Sequence, residues 1–348
     1  AAAFLAMGAS MTSLPAGWEK DDTGIWHYYH SDDEMVTDEW KKDGSQWFYL
    51  DEDGNMSTDT WVDDEYYVGS DGAMVKNGWV KTTADEDVSD PEDDGDHWYY
   101  FSSNGKKVED DSKKINGKTY YFDEDGKMRY GWYQDENNEV FYLGTEDEGW
   151  RAENQWLWLA LPEEDEVDRN GVNFCSDDDS CAENCDEEGW YYFGSNGKMY
   201  RDSSKKKVNG KYYFFNAHGQ MLYEWINNRK YVVGSQSDLV NGGNYSKPTA
   251  ASSSNGILDG NSTVGAEQIW NMQYSNVVED GSRADGWYEI DGAEDTGKDG
   301  DTDWYYFDDG EVKRADSYKD FVTKDGDDAD VFRAKIKING KYFCFNEM

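Results

Sequence analysis

The chain has 348 residues, and its Asp+Glu 75 against Lys+Arg 33 leaves a formal charge of −42. That balance excludes nucleic acid and anionic membrane surfaces as partners, because both are held by lysine and arginine neutralising phosphate. Leu, Ile, Val and Phe supply only 52 residues, while Trp 16 and Tyr 26 add 42 more large side chains. The core this sequence can build is therefore aromatic, and it suits many small shared surfaces better than one large interior.

Residues 1–16 begin with the apolar, small-residue stretch Ala1 to Ala9, which carries Phe4, Leu5 and Met7. It is too short to span a bilayer, so no membrane insertion is expected. Two origins stay open, the remains of a secretory signal or an apolar end that docks on something, and either way the chain reads as exported.

Residues 17–97 repeat with a short period. Gly17-Trp18, Glu39-Trp40, Thr60-Trp61 and Gly78-Trp79 each open a unit, and the last three tryptophans are 21 and 18 residues apart. An aromatic run follows in each of the first three (Trp26-His27-Tyr28-Tyr29, Trp47-Phe48-Tyr49, Tyr66-Tyr67), then an acidic turn, then Met35, Met56 or Met74 at the same spacings of 21 and 18. An acidic loop over residues 81–97 ends the region.

Residues 98–348 read as three degenerate super-repeats. Trp98-Tyr99-Tyr100-Phe101 returns as Trp190-Tyr191-Tyr192-Phe193 and as Trp304-Tyr305-Tyr306-Phe307, each followed by a unit turning on Asn116-Gly117, Asn209-Gly210 or Asn339-Gly340. Asn-Gly between two β-prone runs predicts a two-residue hairpin turn, which needs positive φ at both positions. Asp51-Glu52-Asp53-Gly54 and Asp123-Glu124-Asp125-Gly126 also predict turns. Insertions at 160–189, 234–285, 291–303 and 316–335 break the period and read as surface loops. Within the second, Ala266 to Met272 is open between a short helix and an irregular strand.

A unit of ~20 residues is one hairpin, which is marginal alone in water and must bury its rings against neighbours. The fold expected is all-β, a solenoid of stacked β-hairpin repeats with loop insertions.

Catalytic chemistry finds no footing. His27, His30, His97 and His218 sit in aromatic runs or turns at no catalytic spacing, and with so many carboxylates chance pairs carry no weight, so the expectation is a protein that is not an enzyme. Cys175, Cys181 and Cys185 share one insertion and predict one local disulfide, since their spacing fits no common zinc knuckle. Cys344 replaces an aromatic of the sister units and is expected to face the core. Asp299, Asp301 and Asp303 alternate like the opening of a calcium loop, but Trp304 stands where the turn glycine belongs, so they form a weak calcium candidate.

The order Gly-Trp, aromatic triplet, Asp-x-x-Gly-x-Met resembles the cell-wall-binding repeats of Gram-positive surface proteins, the family that includes choline-binding modules. The Asn-Gly-Lys-x-Tyr-Tyr-Phe form is similar to related glucan-binding and clostridial-toxin repeats. The resemblance implies a β-hairpin superhelix that is secreted to the bacterial cell surface. It implies a ligand, choline-bearing wall polymer or a glucan-like carbohydrate, held between successive hairpins. By motif the cages would draw on Trp18, Trp26, Trp40, Trp47, Trp61 and Trp79 with Tyr28, Tyr49 and Tyr66, and Met35, Met56 and Met74 would close them. Quaternary ammonium has no donor hydrogen, so ring faces recognise it, at ~0.5–2 kcal/mol each.

Departures from the pattern reduce the number of working sites expected: Glu34 replaces a turn glycine, Glu39 and Thr60 replace the glycine before tryptophan, and Glu65 opens an aromatic run. Neither end carries an obvious capping unit, so head-to-tail self-association is a further expectation, and a structural or filament-forming surface protein is the alternative reading.

Overall fold

A computed structural model gives the structure of the protein and describes residues 17–30, 34–85, 95–163, 167, 169–174, 185–227, 272–292, 302–314, 321–322, 331–332 and 334–345. These are almost all strands and turns; Val167, Arg169 and Asn170 are helical. No helix among them is long and apolar enough to cross a membrane. The chain divides into two compact units, residues 1–135 with 141–152, and residues 136–140 with 153–348.

In the first unit antiparallel hairpins follow one another in chain order: β1 (Trp18–Lys20) with β2 (Trp26–Tyr28), β3 (Glu39–Asp43) with β4 (Gln46–Leu50), β5 (Thr60–Val62) with β6 (Tyr66–Val68), β7 (Gly78–Thr82) with β8 (His97–Phe101), and β9 (Ser112–Ile115) with β10 (Lys118–Tyr121). The division falls around β11 (Trp132–Gln134) and β12 (Val140–Tyr142). The second unit continues with β13 (Gln155–Ala160) and β14 (Glu188–Phe193), then β15 (Ser203–Val208), β16 (Lys211–Phe215) and β17 (Met221–Leu222). β18 (Glu224–Asn227), β19 (Met272–Ser275), β20 (Gly286–Asp291), β21 (Thr302–Asp308) and β22 (Glu311–Val312) form a five-stranded sheet in the order β18-β19-β22-β21-β20. Two more hairpins end the unit, β23 (Phe321–Val322) with β24 (Val331–Phe332) and β25 (Ala334–Ile338) with β26 (Lys341–Phe345).

Local chemistry explains the corners. Asn116, Asn209 and Asn339 have φ of 49, 48 and 49°, and Gly117, Gly210 and Gly340 have 86, 89 and 83°, so the Asn-Gly turns form as predicted. The acidic turns are one structure used repeatedly. The Asp51 carboxylate accepts the N–H groups of Asp53 and Asn55 at 3.0 and 2.7 Å, Asp123 those of Asp125 and Lys127 at 3.1 and 2.8 Å, and Asn216 those of His218 and Gln220 at 3.0 and 2.9 Å. A second corner lies two residues before the unit tryptophan, where Asp38, Asp59 and Asn77 take φ of 52, 46 and 49°. Asp and Asn tolerate this left-handed region better than other side chains. The left-handed position is thus one residue ahead of Glu39 and Thr60, so these two departures from Gly-Trp put no strain on the backbone.

In β8 and β14 consecutive rings are buried on both faces, which is why these runs are continuous rather than alternating. Trp79 lies against Tyr100, its cross-strand partner, at 5.0 Å between centroids, and against Tyr120 and Phe122 of the next hairpin at 4.9 and 5.7 Å. Trp61 repeats this with Tyr67, Tyr99 and Phe101; Trp156 with Tyr192, Tyr213 and Phe215; Trp225 with Tyr274, Tyr305 and Phe307; Trp287 with Tyr306, Phe343 and Phe345. A backbone bond accompanies the rings: the N–H groups of Met56, Met74 and Met128 donate to the carbonyls of Trp26, Trp47 and Trp98 in the preceding hairpin, each at 2.8 Å. The methionine side chains then lie on the turn glycine of the hairpin that follows. A Cβ on Gly54 would stand 2.8 Å from Met35 Cε, and one on Gly72 2.6 Å from Met56 Cε.

Most of the insertions lengthen hairpin turns rather than the links between hairpins; that at 316–335 falls between β22 and β25 and holds the hairpin β23–β24. The described parts of 81–97, 160–189 and 291–303 adjoin the turns β7–β8, β13–β14 and β20–β21, and β8 begins at His97, so the two periods expected on either side of residue 97 meet inside one hairpin. Within the stretch 234–285 the strand Met272–Ser275 joins the five-stranded sheet, so Met272 opens a strand, while 266–271 lie outside the described residues. Cys344 corrects an expectation: it is exposed, because strand alternation turns Phe343 and Phe345 toward Trp287 and Cys344 the other way. Cys175, Cys181 and residues 1–16 lie outside the described residues; Cys185 Sγ accepts a bond from Asn216 Nδ2 at 3.5 Å.

Two substitutions test this packing. Gly105 and Gly117 share a φ of 86°, but a Cβ on Gly105 would overlap Met74 while one on Gly117 meets open space. Gly105→Ala should lower the urea-unfolding free energy by about 1–2 kcal/mol more than Gly117→Ala, since overpacking costs typically that much and the backbone strain cancels; equal losses would contradict the methionine contact. Burial pushes the Asp123 carboxyl above its ordinary value, against the N–H of Lys127 that pulls it down. Its ionised form is less favourable in the fold than in the unfolded chain, so it lowers stability above the folded pKa and ceases to do so as pH falls through it. Asp123→Asn keeps both acceptor bonds, as Asn216 does, and should raise the unfolding midpoint at pH 7, with the gap closing below about pH 4.

Candidate functional site: aromatic cages between hairpins

Where one hairpin meets the next, four positions converge: the unit tryptophan, the first residue of its aromatic run, an aromatic of the following hairpin and the methionine after that hairpin's turn. At the first step Trp18, Trp26, Tyr28, Phe48 and Met56 pack in one cluster, with Trp18 5.1 Å from Tyr28 and 5.4 Å from Phe48. At the second, Trp40 lies 5.2 Å from Tyr49 and 5.4 Å from Tyr66, and Met74 bonds to the Trp47 carbonyl. The third step departs: Trp61 meets Tyr99 at 4.8 Å, but Glu65 replaces the first ring and Lys107 the methionine. The fourth is the most complete, with Trp79, Trp98, Tyr120 and Met128 in one cluster and the two indoles perpendicular at 6.3 Å. In the second unit Trp156, Trp190, Tyr213 and Met221 repeat it.

Of the residues expected from sequence, Trp18, Trp26, Tyr28 and Met56 come together, as do Trp40, Tyr49 and Tyr66, while the Met74 N–H bonds to the Trp47 carbonyl. Met35 joins neither set and lies on Gly54, 37% exposed. Trp61 and Trp79 take their steps as expected, but the partners of Trp79, namely Trp98, Tyr120 and Met128, were not among the expected residues, nor was the second-unit set. The signal was present: Met128 follows Asp123-Glu124-Asp125-Gly126 at the offset by which Met56 follows Asp51-Glu52-Asp53-Gly54.

The outer rings meet cations of the chain itself. Lys20, Lys42, Lys81, Lys207 and Lys337 each stand directly across the strand pair from the first ring of a run, with the ammonium 5.4, 5.9, 5.8, 5.5 and 5.6 Å from the centroids of Trp26, Trp47, Trp98, Tyr212 and Tyr342. Carboxylates adjoin them: Asp147 accepts from Trp98 Nε1 at 3.2 Å and from Lys81 Nζ at 3.1 Å, which holds Lys81 above and Asp147 below their usual ranges. Other hairpins lack the lysine, among them β5–β6, where Val62 stands across from Tyr66. Trp158 stands across from Trp190, and Glu289 across from Trp304, which is 59% exposed. Burial pushes the phenols of Tyr100, Tyr120, Tyr192 and Tyr213 upward, so these rings stay neutral at physiological pH. Asp299 and Asp301 lie outside the described residues, and Asp303 is an exposed residue of β21 across from Ile290.

The architecture defines a β-hairpin repeat protein whose rings form cages between successive repeats. Choline-binding repeat models match residues 34–73, 55–83 and 110–156, and a putative cell wall binding repeat matches 92–107 and 184–199. The chain carries repeats of the cell-wall-binding and choline-binding kind over these segments. It is similar to glucosyltransferase-S of Streptococcus mutans, 26% identical over 205 residues, which cover 58% of the chain and 11% of that protein. The modular autolysin LytC of Streptococcus pneumoniae is 21% identical with a TM-score of 0.48 over 91% of the chain and 51% of its own. Choline binding protein F of the same organism is 18% identical with a TM-score of 0.44 over 87% and 90%. The chain thus spans about a tenth of the first relative and half of the second.

The inner and outer rings should differ in cost. Trp79→Ala removes a ring shared by two hairpins and should destabilise by about 3–5 kcal/mol in urea unfolding. Trp98→Ala should cost less than half of that, because Trp98 meets one ring, that of Trp79, whereas Trp79 meets four. Equal losses would show that Trp79 is no joint.

Proposed function

We propose that the chain attaches to a polymer at the Gram-positive cell surface and that its ligand there is the quaternary ammonium of choline. The observation that carries this reading is the set of five lysine ammonium groups already seated over the first ring of a run at 5.4 to 5.9 Å. Rings that hold the chain's own cations have the orientation a ligand cation needs. The surrounding charge of −42 favours a cation further and gives nothing to a neutral sugar. The cages assigned to it are Trp18, Trp26, Tyr28 and Met56; Trp40, Trp47, Tyr49, Tyr66 and Met74; and Trp79 with Trp98, Tyr120 and Met128. In this reading the chain is a non-catalytic, extracellular binding module. Single cages are weak, about millimolar, because a few ring faces supply only a few kcal/mol, and retention on a wall comes from several acting together.

Calorimetry of the full chain with choline chloride should give saturable heat in the millimolar range that weakens as salt rises. Absence of heat at tens of millimolar choline, with a glucan binding instead, would reject the choline reading in favour of carbohydrate.

A further inference from the structure

The third step of the first unit closes on a lysine where its neighbours close on methionine. The Lys107 N–H donates to the Glu65 carbonyl at 2.8 Å, as Met74 does to Trp47 and Met128 to Trp98. Its stem lies on the next turn glycine, since a Cβ on Gly126 would stand 2.7 Å from Lys107 Cδ. By backbone bond and by contact, Lys107 therefore occupies the methionine position. Only 3% of its side chain reaches solvent, and Nζ lies 2.9 Å from Asp64 Oδ1, 3.8 Å from Glu109 Oε2 and 5.5 Å from the centroid of Trp61. The Trp61 ring is fixed in turn, its Nε1 donating to the Thr83 carbonyl at 2.9 Å.

The second departure at this step belongs with the first. Glu65 replaces the outer ring, and its carboxylate is held by Lys106 at 2.6 Å. An aromatic and a thioether have been exchanged together for two ion pairs, one of them buried. Driving that buried ammonium out would break its pairs with Asp64 and Glu109 and empty the space its stem fills, and a second cation beside it would be repelled.

We infer that Lys107 is a built-in cation that fills its own cage, so that this step refuses external quaternary ammonium and the steps on either side work as separate sites. The inference rests on the choline reading above. It makes Lys107 a specificity-determining residue, with Trp61 a structural ring in the native chain.

The test uses the full chain labelled with 5-fluorotryptophan, with the Trp61 signal assigned by Trp61→Phe, and fluorine NMR during titration with choline chloride. In the native protein the Trp47 and Trp98 signals should shift while Trp61 stays still. In Lys107→Met the Trp61 signal should shift too, with a midpoint within about tenfold of the other cages, and one more equivalent of choline should bind; in Lys107→Arg it should stay still. A Trp61 shift in the native protein overturns the inference whether or not the methionine variant folds. So does a silent Trp61 in folded Lys107→Met while the other rings respond. Silence of every tryptophan in all three proteins removes the choline reading and this inference with it.

Discussion

The structure depends on one shared contact, a tryptophan that stands across from a tyrosine of its own hairpin and lies on two aromatics of the next. A short hairpin cannot hold itself together in water, and here the unit tryptophans pack on rings of the next hairpin as well as of their own. Tyr99, Phe101 and Phe307 are buried where a ring of the preceding hairpin covers them. Aromatic pairs of this kind add about 0.5–1.5 kcal/mol beyond the area they remove from water. A chain with few aliphatic residues can fold on such contacts, provided that each repeat presents its rings in register.

Register is set by turns, and the turns account for much of the acidity. Asp21, Asp51 and Asp123 close bends by accepting two backbone N–H groups each, and Asp38 and Asp59 occupy left-handed corners. Carboxylates needed for geometry give the surface a negative field as a by-product, and that field favours cationic ligands at the outer rings. Lysines across the strand meet the same rings, so the rings that join the repeats also meet the chain's own cations.

The hairpins, the Asn-Gly turns and the acidic turns were legible in the sequence because each follows from the dihedral preferences of two to four neighbouring residues. The cages were legible in part. Trp18, Trp26 and Met56 repeat at short, regular spacing, but the loop within β7–β8 separates Trp79 from Trp98 and hides that they form one cage with Tyr120 and Met128. The same loop places Lys107 33 residues after Met74, so its equivalence to methionine appears only in the backbone bond to Glu65. The glycine before tryptophan stood out in the sequence, whereas in three units the left-handed residue is one earlier, at Asp38, Asp59 and Asn77. Cys344 was assigned to the core by its place in the run, but alternation along β26 gives that face to Phe343 and Phe345.

A double-mutant cycle between Trp79 and Tyr120 tests the shared contact most directly, because these rings belong to different hairpins and meet at 4.9 Å. Unfolding free energies of the native chain, Trp79→Leu, Tyr120→Leu and the double variant give the coupling between them. The account predicts a favourable coupling of about 0.5–1.5 kcal/mol. Additive losses, with no coupling outside error, would contradict the claim that rings shared between repeats hold this protein together.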